Sequence, residues 1–408
     1  MGKSRNTVTH RRVFYVPGYD PMPPRRYREL YRTEGARQAE ISGYEIGIRA
    51  RKGSNFGWHV HSVQDAHETH TEIEVLVWAD LVKKSMEAGV LGTYAMLVST
   101  AWVYARTGVL RRLTWLRKGP VIAALYPVVV LLLQLLAALL VAAAVGWALS
   151  FIHPLAAWGG LLAVWPVLEA FRRKDSRFFA YYLMHDYAFS ARHMGANPPV
   201  LEKRIAEFTD IIAEALRSDT DEVLVIGHSS GAHVAISVLA DLVRQGRVPT
   251  DGPALSFLSL GQCVPMVSFL PEATRLRADL HDLSATDALT WVDVTAPMDG
   301  ATFALCDPAA VSGVAPKRQV NPTIFSAAFT DTMSEESLAR IKWRFFLKHL
   351  QYLCAFEFPR DYDYYRITAG PQTLRDRYAK RGSSRSKITR VASPHITMDR
   401  PAPEPVAA

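Results

Sequence analysis

A serine flanked by glycines is the residue in this 408-residue sequence whose type and spacing best fit catalysis. Ser229 is the central residue of Gly227-His228-Ser229-Ser230-Gly231, a G-x-S-x-G pattern. Only Ser229 has glycine at both flanking positions of that pattern, so it is the candidate nucleophile. A serine hydroxyl attacks an ester carbonyl when a neighbouring base removes its proton, and the product is an acyl-enzyme. The pattern therefore predicts acyl-transfer chemistry at Ser229.

The segments on either side of this pattern are those that must position the serine. Residues 223–226 are aliphatic and β-branched, which is typical of a buried strand, and residues 232–240 predict a helix rich in alanine. Strand, tight turn and helix together form a nucleophile elbow, in which flanking glycines let strand and helix approach closely. The alternative is an ordinary strand-to-helix turn with a serine at the helix N-cap.

On these residues the chain resembles the α/β-hydrolase family of serine esterases and lipases. The resemblance implies an α/β fold with a mostly parallel sheet and helices on both faces. It also implies a catalytic triad in the chain order serine, acid, histidine.

The resemblance places the triad acid in a loop just past a late strand. The predicted strand 289–295 leads into the segment 296–300, so Asp299 is the leading candidate. Asp293, inside that strand, and Asp307, farther on, remain alternatives. Asp299-Gly300 is also a common turn pair, which leaves a purely structural role open.

The triad histidine should follow the acid, and only His349 and His395 lie downstream of Asp299. His395 lies in the tail, so His349 is the candidate base. Its surroundings predict a helix, whereas the family usually presents this histidine from a loop, and an ordinary helix-face histidine is the alternative. His228 and His233 flank the serine too closely in sequence to act as its base.

An early strand, residues 13–16, ends in a turn at residues 17–21. In the family the corresponding strand ends in His-Gly, and here Pro17 replaces that histidine. The resemblance implies that the backbone N–H groups of Tyr19 and Ser230 form the oxyanion hole. A strand followed by a proline-glycine turn is the alternative interpretation.

Four histidines occur in a predicted β-hairpin that covers residues 56–78: His59, His61, His67 and His70. His59 and His61 would share one strand face, and Asp65, Glu68 and Glu72 are close in sequence, which is metal-like spacing. Histidines of this kind more often lie on a solvated hairpin face, so the sequence predicts no metal site. The serine chemistry also requires no metal and no organic cofactor.

A long uncharged segment is the strongest physical signal in the chain. Residues 119–168 contain no charged side chain, and residues 121–149 exceed the roughly 20 apolar residues that cross a bilayer. Residues 151–171 are long enough to return. Basic residues flank the hairpin on both sides: Arg111, Arg112, Arg117, Lys118, Arg172, Arg173 and Lys174. The positive-inside rule then places both flanks and both termini in the cytoplasm, with the hairpin in the cytoplasmic membrane.

The elbow strand and the strand before Gly18 must join one sheet, so the number of membrane crossings between them must be even. Residues 88–105 are uncharged but diluted by polar side chains, and the segment 88–106 is therefore predicted to lie on the cytoplasmic leaflet or to dip into it. The predicted organisation is a core in two parts, 1–87 and 175–370, separated by a membrane insertion at 88–174 with a hairpin at about 120–171. Residues 371–408, rich in Arg, Lys, Ser and Pro, are predicted to be a disordered basic tail.

Composition narrows the class of protein further. The net charge is +8, but no nucleic-acid module is recognisable, and the positive charge clusters beside apolar segments, which favours a membrane surface over nucleic acid. The three cysteines are widely spaced and predict buried thiols in a reducing compartment. The first twelve residues lack the apolar run of a secretory signal. The oligomeric state stays open.

The sequence therefore predicts a membrane-anchored serine hydrolase that cleaves carboxylic esters, with the bilayer favouring a lipid-like substrate. An acyltransferase or thioesterase that uses the same three residues is one alternative. A hydrolase-like domain that serves as a non-catalytic interaction module at the membrane is the other.

Overall fold

An eight-stranded mixed sheet forms the centre of the computed structural model, which describes residues 7–19, 23–51, 56–78, 80–81, 87–342 and 344–399. Its strand order is β2-β3-β4-β1-β5-β6-β7-β8. The pairs β2–β3 and β3–β4 are antiparallel, and every other neighbouring pair is parallel. The strands are β1 His10–Val16, β2 Glu45–Ala50, β3 Gly57–Gln64, β4 His67–Val75, β5 Glu222–His228, β6 Ala254–Leu260, β7 Thr290–Thr295 and β8 Thr323–Ser326.

Helices cover both faces of this sheet. They are α1 Arg25–Ser42, α2 Gly89–Arg106, α3 Val109–Leu113, α4 Lys118–Ser150, α5 Val164–Arg173, α6 Ala180–Arg192, α7 Pro199–Ala215, α8 Gly231–Arg244, α9 Pro265–Ser268, α10 Thr274–Ala285, α11 Pro308–Val311, α12 Phe329–Thr332, α13 Glu335–Ile341, α14 Phe345–Leu350, α15 Tyr364–Ala369 and α16 Leu374–Tyr378. Short 3₁₀ helices cover Pro154–Ala163, Asp175–Arg177 and Gln351–Leu353. The predicted α/β class with a mostly parallel sheet is confirmed.

The alternation of side chains along β1 explains the two layers of helices. Phe14 packs into one hydrophobic cluster with α7, α8 and α10, whereas Val13 and Tyr15 point to the other face and pack with α1 and α15. Successive side chains of a strand point to opposite faces, so a strand buried on both sides is apolar throughout. Strand β5, which is buried along its whole length and pairs directly with β1, follows the same rule.

Two helical segments between β4 and β5 are long and apolar enough to span a membrane. Helix α4 has 33 residues, which gives a length of about 50 Å. The second segment, Pro154–Arg173, begins as a 3₁₀ helix and continues as α5, for a length of about 35 Å. Both exceed the hydrocarbon core of a bilayer, which is about 30 Å thick.

The two segments cross at glycines. A Cβ atom at Gly160 would lie 2.3 Å from the carbonyl oxygen of Ala142, and one at Gly146 would lie 2.6 Å from that of Ala157. Only residues without side chains allow backbones to approach this closely, and membrane helices commonly pack in this way. The two segments therefore pack against each other as the predicted hairpin, through contacts that involve no charged residue.

Helix α2 coincides with the predicted interfacial helix at 88–106. One of its faces packs toward α6, through buried residues that include Leu97 and Tyr104. The opposite face exposes Leu91, Val98 and Trp102, which are 72%, 66% and 63% accessible. An apolar stripe of this kind on an otherwise packed helix suits a membrane surface better than water.

The prediction of a disordered tail is wrong for residues 371–399. Helix α16 buries Leu374 and Tyr378, and Ile388 forms a β-bridge with Cys306. Farther on, Arg277 donates to the carbonyl oxygen of Thr397 over 2.7 Å. Backbone hydrogen bonds to the core hold this irregular segment, and they leave no periodic pattern in the sequence. Residues 400–408 lie outside the described residues.

Candidate active site

Ser229 lies on a sharp turn between β5 and α8. Its φ angle is 57°, which is rare for a residue with a side chain, and its N–H donates to the carbonyl oxygen of Leu260 over 2.9 Å. A Cβ atom at Gly231 would lie 2.3 Å from the carbonyl oxygens of Val16 and Pro17. One at Gly227 would lie 2.7 Å from the Cα atom of Ala232. Neither flanking position has room for a side chain, so both must be glycine.

The loop after β1 lies directly beside this turn. A Cβ atom at Gly18 would be 3.0 Å from the Cβ atom of Ser229, and the indole of Trp78 donates to the carbonyl oxygen of Pro17 over 3.0 Å. This brings Tyr19 next to Ser230, as the predicted oxyanion hole requires. The last two residues of the predicted turn, Asp20 and Pro21, lie outside the described residues.

The Tyr19 N–H, however, is already engaged. It donates to the side-chain oxygen of Ser230 over 2.6 Å, and both residues are buried. The N–H could reach an oxyanion only after the Ser230 hydroxyl rotates away. The sequence did not predict this contact, because it depends on the packing of β1 against α8.

Asp299, which is buried, and His349, which is largely buried, form a hydrogen-bonded pair. The His349 Nδ1 atom and the Asp299 Oδ2 atom are 2.7 Å apart, although the residues are 50 positions apart in sequence. The Tyr352 hydroxyl donates to the same Oδ2 atom over 3.0 Å, and the N–H of Ala301 donates to Oδ1 over 3.0 Å. His349 lies in α14 rather than in a loop.

The two alternative acids lie elsewhere. Asp293 is inside β7, where it accepts a hydrogen bond from Ser259 over 2.5 Å. Asp307 caps α11 by accepting from the N–H of Ala310, and it also accepts from the side chain of Gln319. Asp299 is the one of the three candidates that contacts His349.

His228, which directly precedes Ser229, forms a hydrogen bond to the backbone of α14, the helix that contains His349. Its Nε2 atom lies 3.0 Å from the carbonyl oxygen of His349, and because a carbonyl only accepts, this nitrogen carries a proton. The two imidazole rings are tilted, with centroids 4.9 Å apart. Burial lowers the pKa of His228 to about 3, so it stays neutral at physiological pH.

The electrostatics of the pair favour an ion pair when His349 is protonated. Burial opposes charge on both groups, but the charge and hydrogen bond of His349 hold the pKa of Asp299 below its usual value. In the same way burial lowers the pKa of His349, but Asp299 outweighs it and raises that pKa above its usual value. The His349 Nε2 atom is buried and has no hydrogen-bond partner in the described part of the chain.

Ser229 and His349 line one cavity of about 460 Å³, together with Asp186 and Cys263. Cys263 lines the same cavity as Ser229, and burial raises the pKa of its thiol, so the thiol remains neutral. Burial also raises the pKa of Asp186 to about 7. A hydroxyl, an imidazole and a carboxyl group with a near-neutral pKa therefore share this space.

The rest of the cavity wall is mainly apolar and extends to the start of α4. It includes Pro120, Phe179, Tyr182, Met266, Phe345 and Phe346. The Phe179 and Phe346 rings are 4.2 Å apart between centroids, and Phe179 is 36% accessible. A Cβ atom at Gly119 would lie 3.3 Å from the backbone of Gly300, which directly follows Asp299 in sequence. Helix α4, the first of the two segments long and apolar enough to span a membrane, thus begins against the loop of the candidate acid.

Sequence reasoning missed Tyr352, Asp186 and Cys263. Tyr352 follows His349 by one helical turn, a spacing that puts both on one face, so this residue could have been found. Asp186 is an acid within an aromatic and aliphatic stretch, which is also a visible signal. No local pattern marks Cys263, which comes close to Ser229 only in the folded chain.

The hairpin histidines are not near this site. Among the described residues, His61, Glu68 and His70 are the group whose side chains could hold a metal ion. They lie over a separate cavity at the other end of the parallel strands. His59, predicted to share a strand face with His61, lies opposite Glu72 in the sheet and is not part of the group.

Comparison of the chain with protein-family models, with curated proteins and with solved structures finds no match in any of the three. A function for this protein is therefore inferred from the geometry of the Ser229 cavity.

Proposed function

We propose that this protein is a membrane-anchored serine hydrolase of the α/β-hydrolase type that cleaves lipid-like carboxylic esters. The observation that carries the proposal is the part-buried hydrogen bond between Asp299 and His349, beside a cavity that His349 shares with Ser229. Supporting observations are the left-handed φ angle of Ser229 and the two glycines that its turn requires. An activated serine needs such a base, held by a third group.

In the proposed mechanism the His349 Nε2 atom removes the Ser229 proton as the hydroxyl attacks the ester carbonyl. Asp299, held by Tyr352 and Ala301, keeps Nδ1 protonated and stabilises the imidazolium. His349 then protonates the leaving alcohol, and water resolves the acyl-enzyme by the reverse proton transfers. An acyltransferase or thioesterase would differ only in the group that donates or accepts the acyl chain.

The substrate class follows from the position of the cavity. Its wall is largely apolar and continues into the start of α4, the longest membrane-competent helix of the described chain. Helix α2, which carries the exposed apolar stripe, packs with its other face against α6, and α6 supplies Tyr182 and Asp186 to the same cavity. An acyl chain could therefore pass from a bilayer to Ser229 along apolar side chains.

The proposed location is the cytoplasmic side of the cytoplasmic membrane. Basic residues flank both membrane segments, and the connection between the segments is uncharged. By the positive-inside rule the catalytic domain and both termini then face the cytoplasm.

A specific observation favours one alternative, a non-catalytic interaction module. The His349 Nε2 atom makes no hydrogen bond within the described residues, and the Ser230 hydroxyl engages the Tyr19 N–H. Catalysis requires the His349 Nε2 atom to accept the Ser229 proton and the Ser230 hydroxyl to release the Tyr19 N–H, and such contacts often tighten only when substrate binds. A protein that never made these changes would keep the fold without the activity.

Labelling with a fluorophosphonate probe separates the two functions. The detergent-solubilised protein is expected to label at one site, and both Ser229→Ala and His349→Ala should abolish labelling. Cys263→Ser, which changes a neighbour of the nucleophile, should retain it and serves as the control. A folded wild-type protein that does not label would contradict the hydrolase proposal and favour the interaction module.

A further inference from the structure

A second cavity lies far from Ser229 and plays no part in the proposed hydrolysis. Its volume is about 790 Å³, and it lies over β1, β2, β3 and β4. It is lined by His10, at the start of β1, whereas Val16 at the end of β1 pairs with Gly227 beside the serine. Six residues of strand span about 20 Å, so the two sites are at opposite ends of the parallel strands.

Three side chains from two adjacent strands converge in this cavity. His61 on β3 lies directly opposite His70 on β4, and their ring centroids are 5.1 Å apart. Glu68 precedes His70 by two residues, so both side chains point to the same face. The Glu68 Oε1 atom is 2.6 Å from the Nε2 atom of His61 and 3.2 Å from that of His70.

The distances suit a small transition-metal ion. All three donor atoms lie within 4.8 Å of one another. Around a tetrahedral zinc ion, donors at about 2.0–2.2 Å from the metal are roughly 3.4 Å apart. Small side-chain rotations would therefore bring the three donors to that spacing. Two imidazoles and one carboxylate are a typical three-residue set for zinc, which leaves one position for water.

The surroundings keep the site rigid and open. On the opposite face of the same strands, Ser62, Thr69 and Thr71 are buried, which fixes the backbone beneath the three donors. Gly47 pairs with His61 on the other side, and a Cβ atom there would meet nothing closer than 3.9 Å. The three donor side chains are 50–59% accessible, so water can complete the coordination of an ion.

We propose that His61, Glu68 and His70 form a binding site for Zn²⁺ or a similar divalent transition-metal ion, separate from Ser229. The ion would link β3 to β4 and stabilise the outer part of the sheet. Mg²⁺ should not bind, because it prefers oxygen ligands in near-octahedral geometry. This proposal does not depend on the hydrolase function.

Calorimetric titration of the full-length, tag-free protein in detergent, first stripped with a chelator, tests the proposal with ZnCl₂ as the probe. We expect one zinc ion per chain. His61→Ala and His70→Ala should each weaken binding at least about tenfold. His67→Ala is the matched control, because it removes a histidine of the same hairpin that is not part of the group, and it should bind as the parent does.

Thermal unfolding guards against loss of fold in the variants. In chelator, all four proteins should unfold at similar temperatures; zinc should raise the unfolding temperature of the parent and of His67→Ala only, and MgCl₂ should raise none. A parent that binds no zinc would overturn the proposal. So would His61→Ala and His70→Ala variants that bind zinc as tightly as the parent.

Discussion

Replacement of Asp299 by asparagine is the perturbation that tests the proposed triad most directly. The 2.7 Å contact between Asp299 and His349 is largely shielded from solvent, with side-chain accessibilities of 0% and 12%. Asparagine keeps the size of the side chain but removes its charge. Burial alone lowers the pKa of His349, and Asp299 is the main group that raises it, so the base becomes weaker in the variant.

The size of the expected rate change follows from the charge-assisted hydrogen bond between Asp299 and His349, which the variant lacks. A hydrogen bond to a charged group contributes about 1.5–3 kcal/mol. Each 1.36 kcal/mol in the barrier changes a rate tenfold, so fluorophosphonate labelling should slow about 10- to 150-fold. The acid limb of the pH–rate profile should also move to lower pH, because protonation of His349 then requires a more acidic solution. A purely structural change would slow the rate without moving that limb.

Asp293→Asn is the matched control for this experiment. Asp293 is also a fully buried acid, six residues earlier in the chain, but it bonds to Ser259 and not to His349. Burial raises its pKa to about 7, so asparagine replaces a group that is partly neutral already. Its labelling rate should stay within about twofold of wild type. Normal labelling of Asp299→Asn, or its loss in Asp293→Asn, would refute the assignment of the acid.

Three further predictions concern other parts of the molecule. Asp186→Asn removes a charge that raises the pKa of His349, so the acid limb of the labelling profile should move to lower pH. Gly231→Ala places a Cβ atom 2.3 Å from the carbonyl oxygen of Pro17, and the strain should lower the free energy of unfolding by about 1–3 kcal/mol in denaturant titrations. Leu136→Lys puts a charge near the middle of α4, which costs about 2.5–3.5 kcal/mol in the free energy of membrane insertion. The variant should therefore reduce the fraction of the protein that stays in the membrane during carbonate extraction.

Each of these has a control and a result that would contradict it. An unchanged profile for Asp186→Asn would show that its charge does not act on His349. At Gly382 a Cβ atom would meet nothing within 4 Å, so Gly382→Ala should leave the free energy of unfolding unchanged. A Gly231→Ala variant as stable as wild type would contradict the steric argument. Val200→Lys changes an exposed position at the start of α7, so this variant should stay in the membrane during carbonate extraction to the same extent as wild type. Full membrane retention of Leu136→Lys would argue against a spanning α4.

The turn at Ser229 and the two long apolar helical segments could be predicted because their signals are local. The positions beside Ser229 must be glycine because atoms a few residues away and atoms of the neighbouring strand leave no room for a side chain. The length of an apolar run can be counted directly in the sequence. Helix α14 around His349 was predicted for the same reason. The functional roles of Ser229, His349 and Asp299 stay predictions until labelling tests them.

Other features were decided only by packing between distant segments. Three aspartates were candidates for the acid, and the approach of α14 to the loop after β7 brings Asp299 to His349 across 50 positions. The hydrogen bond from the Tyr19 N–H to Ser230 joins positions 211 apart in the chain. No pattern within a few residues carries such information.

The hairpin and the tail illustrate the same physical reason. The sequence placed His59 and His61 on one strand face by their spacing, but only strand register shows that His61 lies opposite His70 and next to Glu68. The tail lacks periodicity because it is held by single backbone contacts, such as that of Ile388 with Leu305. The sequence alone determined the elements that follow from local sterics and hydrophobic length. The tertiary structure decided which distant side chains meet, since that depends on register and on packing across the sheet.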